Sequence, residues 1–381
     1  MDLIMNASDY LFDHQGAMIS DLEKLVNMET PSGDKMLLDR CARYLEDYFQ
    51  DNVTCRVSVL ENNSAGNNLL VRFNLESKLK PVLLLAHYDT VFPEGTIKRI
   101  PFSVSEDGEM ARGPGIFDMK AGLVQAVWAL KALEKHGKPR RPVTILVTSD
   151  EETGSNSSRK VIEGMAKESE AVLVLEPSLN GNLKTERKGV GDIDITFIGK
   201  PSHSGLDPSK GASAINEAAR MIQFLQTLNR PELETTVNVG TIRGGTARNV
   251  IPGEAFMQVD FRIVAEEEGE RIMKEVRKFR PKDSRVRIVV SGGVNRPPMR
   301  KTADTDRLFS LAKKIGQEFG RDLKETSAGG GSDGNFCAAL GVPVLDGLGA
   351  VGDGAHSDQE VLDVNEMPVR AAILERLLEE I

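Results

Sequence analysis

The chain has 381 residues, enough for two or three domains each with its own core. Its 48 Lys and Arg against 57 Asp and Glu leave a net charge of −9, which argues against a general binder of nucleic acid or anionic membrane. Its three cysteines lack CxxC spacing, the start has no basic and apolar leader, and no apolar run approaches the ~20 residues of a membrane span, so the expected compartment is the cytoplasm.

Apolar periodicity predicts a helix over residues 8–27, a turn at Thr30-Pro-Ser-Gly33 and a second amphipathic helix over 34–50. Strands follow at 53–60 and 68–73. Three short runs rich in Val, Ile and Leu, at 81–86, 143–148 and 171–175, read as buried parallel strands. A loop through Arg112-Gly-Pro-Gly115 to Asp118 follows the first run, and a helix is expected over 119–136. Strands alternating with crossover helices through residue 176 are the signature of a mostly parallel, doubly wound α/β sheet. Near residue 190 the pattern changes. Strand 190–198, helix 212–228, strands 236–242 and 255–263, helix 266–279 and strand 285–290 give the order βαββαβ, a ferredoxin-like unit. Arg296-Pro-Pro298 marks the return, with helices at 304–319 and 364–380 and a short strand at 343–345. The expected architecture is one catalytic α/β domain of residues 1–188 and 299–381, interrupted by a ferredoxin-like domain of residues 189–298.

Each of the three apolar runs breaks off into residues that bind metals: His87-Tyr-Asp89, Ser149-Asp-Glu-Glu152 and Glu176. Taken singly, each has a plainer explanation. His87 or Asp89 can cap a strand, Asp118 can cap a helix, Glu151-Glu152 can be a solvated pair and Glu176-Pro177 a turn entrance. Jointly they bring several independent loops to one sheet edge, where open α/β sheets collect ligands. With Asp118 and His356 the donors are two imidazoles and three carboxylates, too few oxygens for calcium and suited to zinc, with cobalt or manganese as substitutes. Two ions sharing a carboxylate could hold a water between them. Adjacent Glu151 and Glu152 then divide the work, one binding metal while its neighbour handles protons.

The runs His87-Tyr-Asp89-Thr-Val, Gly113-Pro-Gly-Ile-Phe-Asp118-Met-Lys-Ala-Gly122, Ser149-Asp-Glu-Glu152-Thr-Gly-Ser155, Pro201-Ser-His203-Ser-Gly205 and Gly329-Gly-Gly-Ser-Asp333 span nearly the whole chain. In type and order they resemble the motif series of the M20 metallopeptidases, most closely the glutamate carboxypeptidase (carboxypeptidase G2-like) branch. The resemblance implies a two-zinc catalytic domain interrupted by a ferredoxin-like dimerisation or lid domain. It implies that Asp118 is the shared ligand, with His87 and Glu176 completing one zinc site and Glu152 and His356 the other, and that the Asp118-Met119 bond is cis. Asp89 is implied behind His87, accepting its free ring N–H, and Glu151 as the general base. His203 is implied to reach the partner subunit's site and help hold the oxyanion, so a symmetric homodimer is expected. Arg296 matches the family position of a carboxylate clasp, Asn249 that of a substrate-binding amide, and Lys184 that of a lysine near the substrate in this branch.

Glu176, rather than Asp, resembles the carboxypeptidase and acylase members. The expected reaction therefore releases a C-terminal amino acid, glutamate or aspartate favoured, from an N-acyl amino acid or short peptide. A di- or tripeptidase or aminopeptidase reading a free α-amine is the nearest alternative, and a non-catalytic metal-binding dimeric module a more distant one. A two-metal phosphoesterase would need a phosphate cradle that no motif here resembles. Arg187, Lys188, Arg243 and Arg248 read as solvated surface.

Overall fold

In the computed structural model, which describes residues 7–137 and 139–381, the three apolar runs become neighbours in one six-stranded sheet. Its order is Arg56–Leu60, Asn68–Phe73, Val143–Thr148, Val82–His87, Ala171–Val174, Val344–Leu345. Val82–His87 pairs in parallel with both neighbours, and Val344–Leu345 in parallel with Ala171–Val174. Only Asn68–Phe73 runs against the rest.

The three central strands are buried along their whole length because both faces are covered. Period-two alternation deals their side chains to two cores. Leu84, Ile145 and Leu173 pack with the helix Ala121–His136, while Leu83, Leu85, Leu146, Val172 and Val174 pack with Ile162 and Ala166 of the helix Arg159–Glu168. The chain steps from Val82–His87 to the strand on one side of it, then crosses back to the strand on the other side. Right-handed crossovers in opposite directions put their helices on opposite faces, which opens a crevice between the carboxyl ends of Val82–His87 and Ala171–Val174, where the strand order reverses. His87 ends the first of these strands and Glu176 closely follows the second, while Glu151 and Glu152 closely follow Val143–Thr148 on the other side of Val82–His87.

A second, four-stranded sheet was not anticipated. Gly352–Asp353, Val361–Asp363, Met110–Arg112 and Ser103–Val104 pair in that order, which joins the segment around His356 to the approach towards Asp118. The single helix expected over residues 8–27 is two, Ala7–Asp13 and Gln15–Val26. His14 explains the break: its ring Nδ1 donates to the Tyr10 carbonyl at 2.7 Å, and its backbone N–H turns to Leu11 instead. Among the described residues no helix is long and apolar enough to cross a membrane.

The chain divides into two compact units. The first runs through Glu186 and resumes at Met299–Ala328 and Ser332–Ile381; the second holds Arg187–Pro298 and Gly329–Gly331. In the second unit Gly189–Ile198, Thr236–Gly244, Glu254–Ile263 and Arg287–Arg296 alternate with the helices Ala214–Gln226 and Glu266–Lys278 as βαββαβ. The sheet is antiparallel throughout, its strands standing in the order second, third, first, fourth, which is the ferredoxin-like arrangement. Ile193, Ile195 and Phe197 alternate inward beside Met257 and Phe261, against Met221 and Ile272 of the two helices.

Two differences from the sequence reading concern this unit. Its last strand continues to Arg296 instead of ending near residue 290, so Arg296 closes a ladder opposite Val190. Arg187, expected on solvated surface, is buried, its guanidinium donating to the carbonyls of Gly330 and Gly331 at 3.1 Å each. A five-donor fork can be buried where carbonyls receive it. Lys188 instead pairs with Glu234, Arg243 lies over the Phe256 ring and Arg248 is exposed.

Candidate metal centre

His87 is only 2% exposed, and its Nδ1 stands 3.0 Å from the main-chain oxygen of Asp89. A carbonyl only accepts, so Nδ1 carries the hydrogen and Nε2 of the neutral ring keeps its lone pair. That Nε2 faces Asp118 Oδ1 at 3.3 Å and Glu176 Oε1 at 3.4 Å. The other Asp118 oxygen, Oδ2, lies 3.2 Å from His356 Nε2, which is itself 3.2 Å from Glu152 Oε2. Two imidazole–carboxylate pairs therefore share Asp118, with one oxygen for each.

Lone pairs facing one another at this range are unfavourable unless a proton or a cation stands between them. Among the described residues, His87 Nε2, Asp118 Oδ1 and Glu152 Oε1 are buried without a hydrogen-bond partner. Two atoms bound at tetrahedral angles to one zinc ion, each about 2.0–2.1 Å from it, stand about 3.3–3.4 Å apart. The separations of 3.2 to 3.4 Å around Asp118 are the edges of such shells, so the residues fit divalent ions. His87, Asp118 and Glu152 form one group of ligand atoms within 4.8 Å of one another, and His87, Glu151 and Glu176 form another. Glu151 thus stands as near to the His87 pair as a ligand would.

Burial works against charge on Asp118, yet the His356 and His87 imidazoles outweigh it and hold the carboxyl far below the usual carboxylate range. Burial likewise opposes a proton on His87, but Asp118, Asp89 and Glu176 hold its pKa well above the ordinary value. His356, with its side chain 51% exposed, is pushed up to about 11 by Asp118 and Glu152. Without a cation both rings therefore keep protons at neutral pH, and an incoming ion must displace them. Because the rings hold those protons until the pH passes their raised folded-state values, zinc affinity is expected to rise with pH from about 6 to 9, with proton release on binding. Calorimetric titration in buffers of different ionisation enthalpy measures both, and pH-independent affinity without proton release would contradict the prediction.

The elements that carry these side chains meet closely. Asp118 follows the loop through Gly113, and its peptide bond to Met119 is cis. A Cβ on Gly122 would stand 2.3 Å from the Leu175 carbonyl oxygen, and one on Gly349 2.1 Å from it. Only glycines let the helix Ala121–His136 and the Gly349 loop close on the strand end that carries Glu176. His356 has φ +63, the left-handed region that a non-glycine residue occupies only where its surroundings impose it.

Asp89 does more than stand behind His87. The His87 ring reaches its main-chain oxygen at 3.0 Å and its Oδ1 only at 3.4 Å. Its carboxylate instead accepts the backbone N–H groups of Glu151 and Glu152, both at 3.2 Å, and the Ser32 hydroxyl at 2.8 Å. One buried anion thus holds the backbone of both glutamates. Ser32 was missed because Thr30-Pro-Ser-Gly33 signals a turn, while the partner of its hydroxyl lies 57 residues away.

The remaining predicted residues fall in two places. Lys184 lies in the first unit, buried on Leu183–Arg187, where its backbone exchanges hydrogen bonds with Asp346 at 2.8 and 3.1 Å. His203, Asn249 and Arg296 belong to the second unit. The ladder between Ser202–His203 and Val250–Ile251 brings the first two together, with the Ser204 N–H donating to the Asn249 carbonyl at 3.0 Å. His203 is exposed, and its Nδ1 accepts the N–H groups of Gly205 and Leu206 at 3.1 Å each, so the neutral ring carries its hydrogen on Nε2. Arg296 is buried, with Nη1 3.3 Å from the Asn295 side-chain oxygen.

Residues 83–380 match the sequence profile of the peptidase family M20/M25/M40. Carboxypeptidase G2 of Pseudomonas sp. (strain RS-16) is 32% identical over 380 residues, covering 96% of this chain and 89% of that protein. Among solved structures, the M20 family metallo-carboxypeptidase Sso-CP2 from Sulfolobus solfataricus is similar with a TM-score of 0.76 at 17% identity, over 95% of this chain and 98% of that one. Aminopeptidase PepT from Bacillus cereus ATCC 10987 is similar with a TM-score of 0.74 at 24% identity, over 96% of this chain and 98% of that one. At these identities the structural likenesses establish the fold alone.

Proposed function

The chain belongs to the M20/M25/M40 peptidase family, and from that premise we propose that it is a two-metal amidohydrolase releasing a C-terminal amino acid from an N-acyl amino acid or short peptide. The observation that carries the reading is the division of the Asp118 carboxylate, one oxygen to the His87–Glu176 pair and the other to the His356–Glu152 pair. His87, Glu176 and Asp118 would hold one ion, and His356, Glu152 and Asp118 the other. Two imidazoles and three carboxylates suit zinc, with cobalt or manganese as substitutes. When bound, such ions supply Lewis acidity that lowers the pKa of a water and polarises the scissile carbonyl.

The chain's own groups do the rest. Glu151 takes the proton of the attacking water and delivers it to the departing amine nitrogen. Asp89 keeps Glu151 and Glu152 in register by holding both of their N–H groups. His203, with its Nε2–H free of the loop that binds Nδ1, donates to the oxyanion of a second copy's site, so the enzyme works as a homodimer joined through the inserted unit. Arg296 clasps the carboxylate of the released amino acid, the Asn249 side-chain amide binds the substrate or the reaction intermediate, and Lys184 favours an acidic side chain, hence glutamate or aspartate. The 32% identity to a carboxypeptidase supports release from the C-terminal side.

A panel of N-acyl amino acids and free-amine dipeptides, tested on zinc-loaded and chelated protein, decides the substrate class. Zinc-dependent cleavage of the N-acyl set with glutamate or aspartate leaving is the expected result. Cleavage confined to the free-amine set would replace it with a dipeptidase or aminopeptidase, and no zinc-dependent hydrolysis would leave a metal-binding module.

A further inference from the structure

Glu360 is 2% exposed and accepts three backbone N–H bonds, all from the segment that leads into Asp118. Phe117 and Asp118 donate to Oε1 at 2.8 and 2.9 Å, and Gly115 donates to Oε2 at 3.3 Å. The carboxylate that receives them stands four residues beyond His356. Between the two, the chain folds on itself: the Ser357 N–H and Oγ both donate to the Gly354 carbonyl, at 3.0 and 2.7 Å, and the Gln359 N–H donates to Ser357 Oγ at 3.2 Å. The Glu360 N–H in turn donates to the Ser357 carbonyl at 3.2 Å. The turn that presents His356 and the carboxyl group that holds the Asp118 backbone are therefore one hydrogen-bonded piece.

A polar group buried so fully is costly unless its hydrogen bonds are made, and here backbone donors from a single loop make them. A core-filling role would be met by any apolar residue of this size. What an oxygen-bearing side chain adds is a fixed acceptor for the successive Phe117 and Asp118 N–H groups, the second of them on the residue whose side chain both metal pairs share. We propose that Glu360 is a positioning residue for the metal centre: through the Phe117 and Asp118 N–H groups it sets the Asp118 carboxylate, and through the turn it ties that setting to His356. The inference rests on Asp118 and His356 being ligands. Its consequence is that losing Glu360 disturbs both ions together, because the shared ligand moves.

The test is cobalt titration of Glu360→Ala and Glu360→Gln, read by the visible d–d bands and by binding affinity, beside thermal unfolding of the apo proteins. Glu360→Ala is expected to weaken both ions by about 10–100-fold and to alter the bands, as loss of an outer partner of a ligand does. Glu360→Gln keeps the shape and one oxygen but sets an amide NH2 against an N–H, so a smaller loss at both ions is expected. If the alanine variant fails to fold, the glutamine variant carries the test. A merely structural role would lower apo stability while leaving cobalt affinity and bands unchanged, which would overturn the proposal, as would a loss confined to one ion. Asp118→Asn is the control for the underlying assignment. If it too binds cobalt like the unaltered protein, the ligand assignment fails; if it loses cobalt while both Glu360 variants bind normally, only the Glu360 role fails.

Discussion

Glu151→Gln is expected to retain two metal equivalents and to lose turnover by about a hundred- to ten-thousand-fold. Glutamine keeps the size and backbone of Glu151, whose N–H remains on the Asp89 carboxylate, so Asp118, Glu152 and Glu176, the proposed ligands, stay where they are. What disappears is the group that can take a proton from water and return it to an amine. The position of Glu151 makes the experiment sharp, because its carboxylate also lies within ligand reach of His87 and Glu176. If Glu151 were a ligand, the same variant would lose metal along with activity. Metal content by atomic absorption, measured with kcat on the same preparation, separates the two, and full metal with undiminished kcat would remove Glu151 from the reaction altogether.

Asp118→Ala is expected to have the largest effect on the metal itself. Each Asp118 oxygen faces a different imidazole, so one substitution takes a ligand from both ions. Affinity should fall at both by more than the about 10–100-fold that follows loss of an outer partner, and turnover should fall with it. The same change removes the group that does most to raise the pKa of His356 and one of those that raise His87, so both imidazoles should titrate at lower pH in the apo variant than in the unaltered apo protein. Proton NMR of the ring hydrogens reads that shift without any metal present. Retention of one ion at unaltered affinity would mean that the carboxylate is not shared.

Much of the fold was legible because it depends on local pattern. The 3.6-residue and two-residue periods mark helices and strands, and they place the βαββαβ insert without knowledge of any contact. The break at His14 was hidden because the apolar pattern continues through it while one imidazole takes a carbonyl from the helix. Burial of Arg187 was hidden because its acceptors, Gly330 and Gly331, lie some 143 residues further along and bring no charge to signal them.

The candidate site divides in the same way. Residue type and position at strand ends are properties of the sequence alone: an imidazole at His87 and carboxylates at Glu152 and Glu176 stand where a parallel sheet must present them, whatever the loops do. The family resemblance adds the sharing of Asp118 between two ions and the cis bond before it is seen. Tertiary structure decided the rest. That each oxygen of Asp118 meets a different imidazole, that Asp89 grips two successive N–H groups, and that Glu360 holds the Asp118 N–H across 242 residues of chain are matters of direction and distance. A hydrogen bond is set within tenths of an ångström by where the backbone runs, and that course is the outcome of packing two cores against one sheet. Sequence thus determined which chemical groups come to the sheet edge; only the folded chain determined which atom faces which.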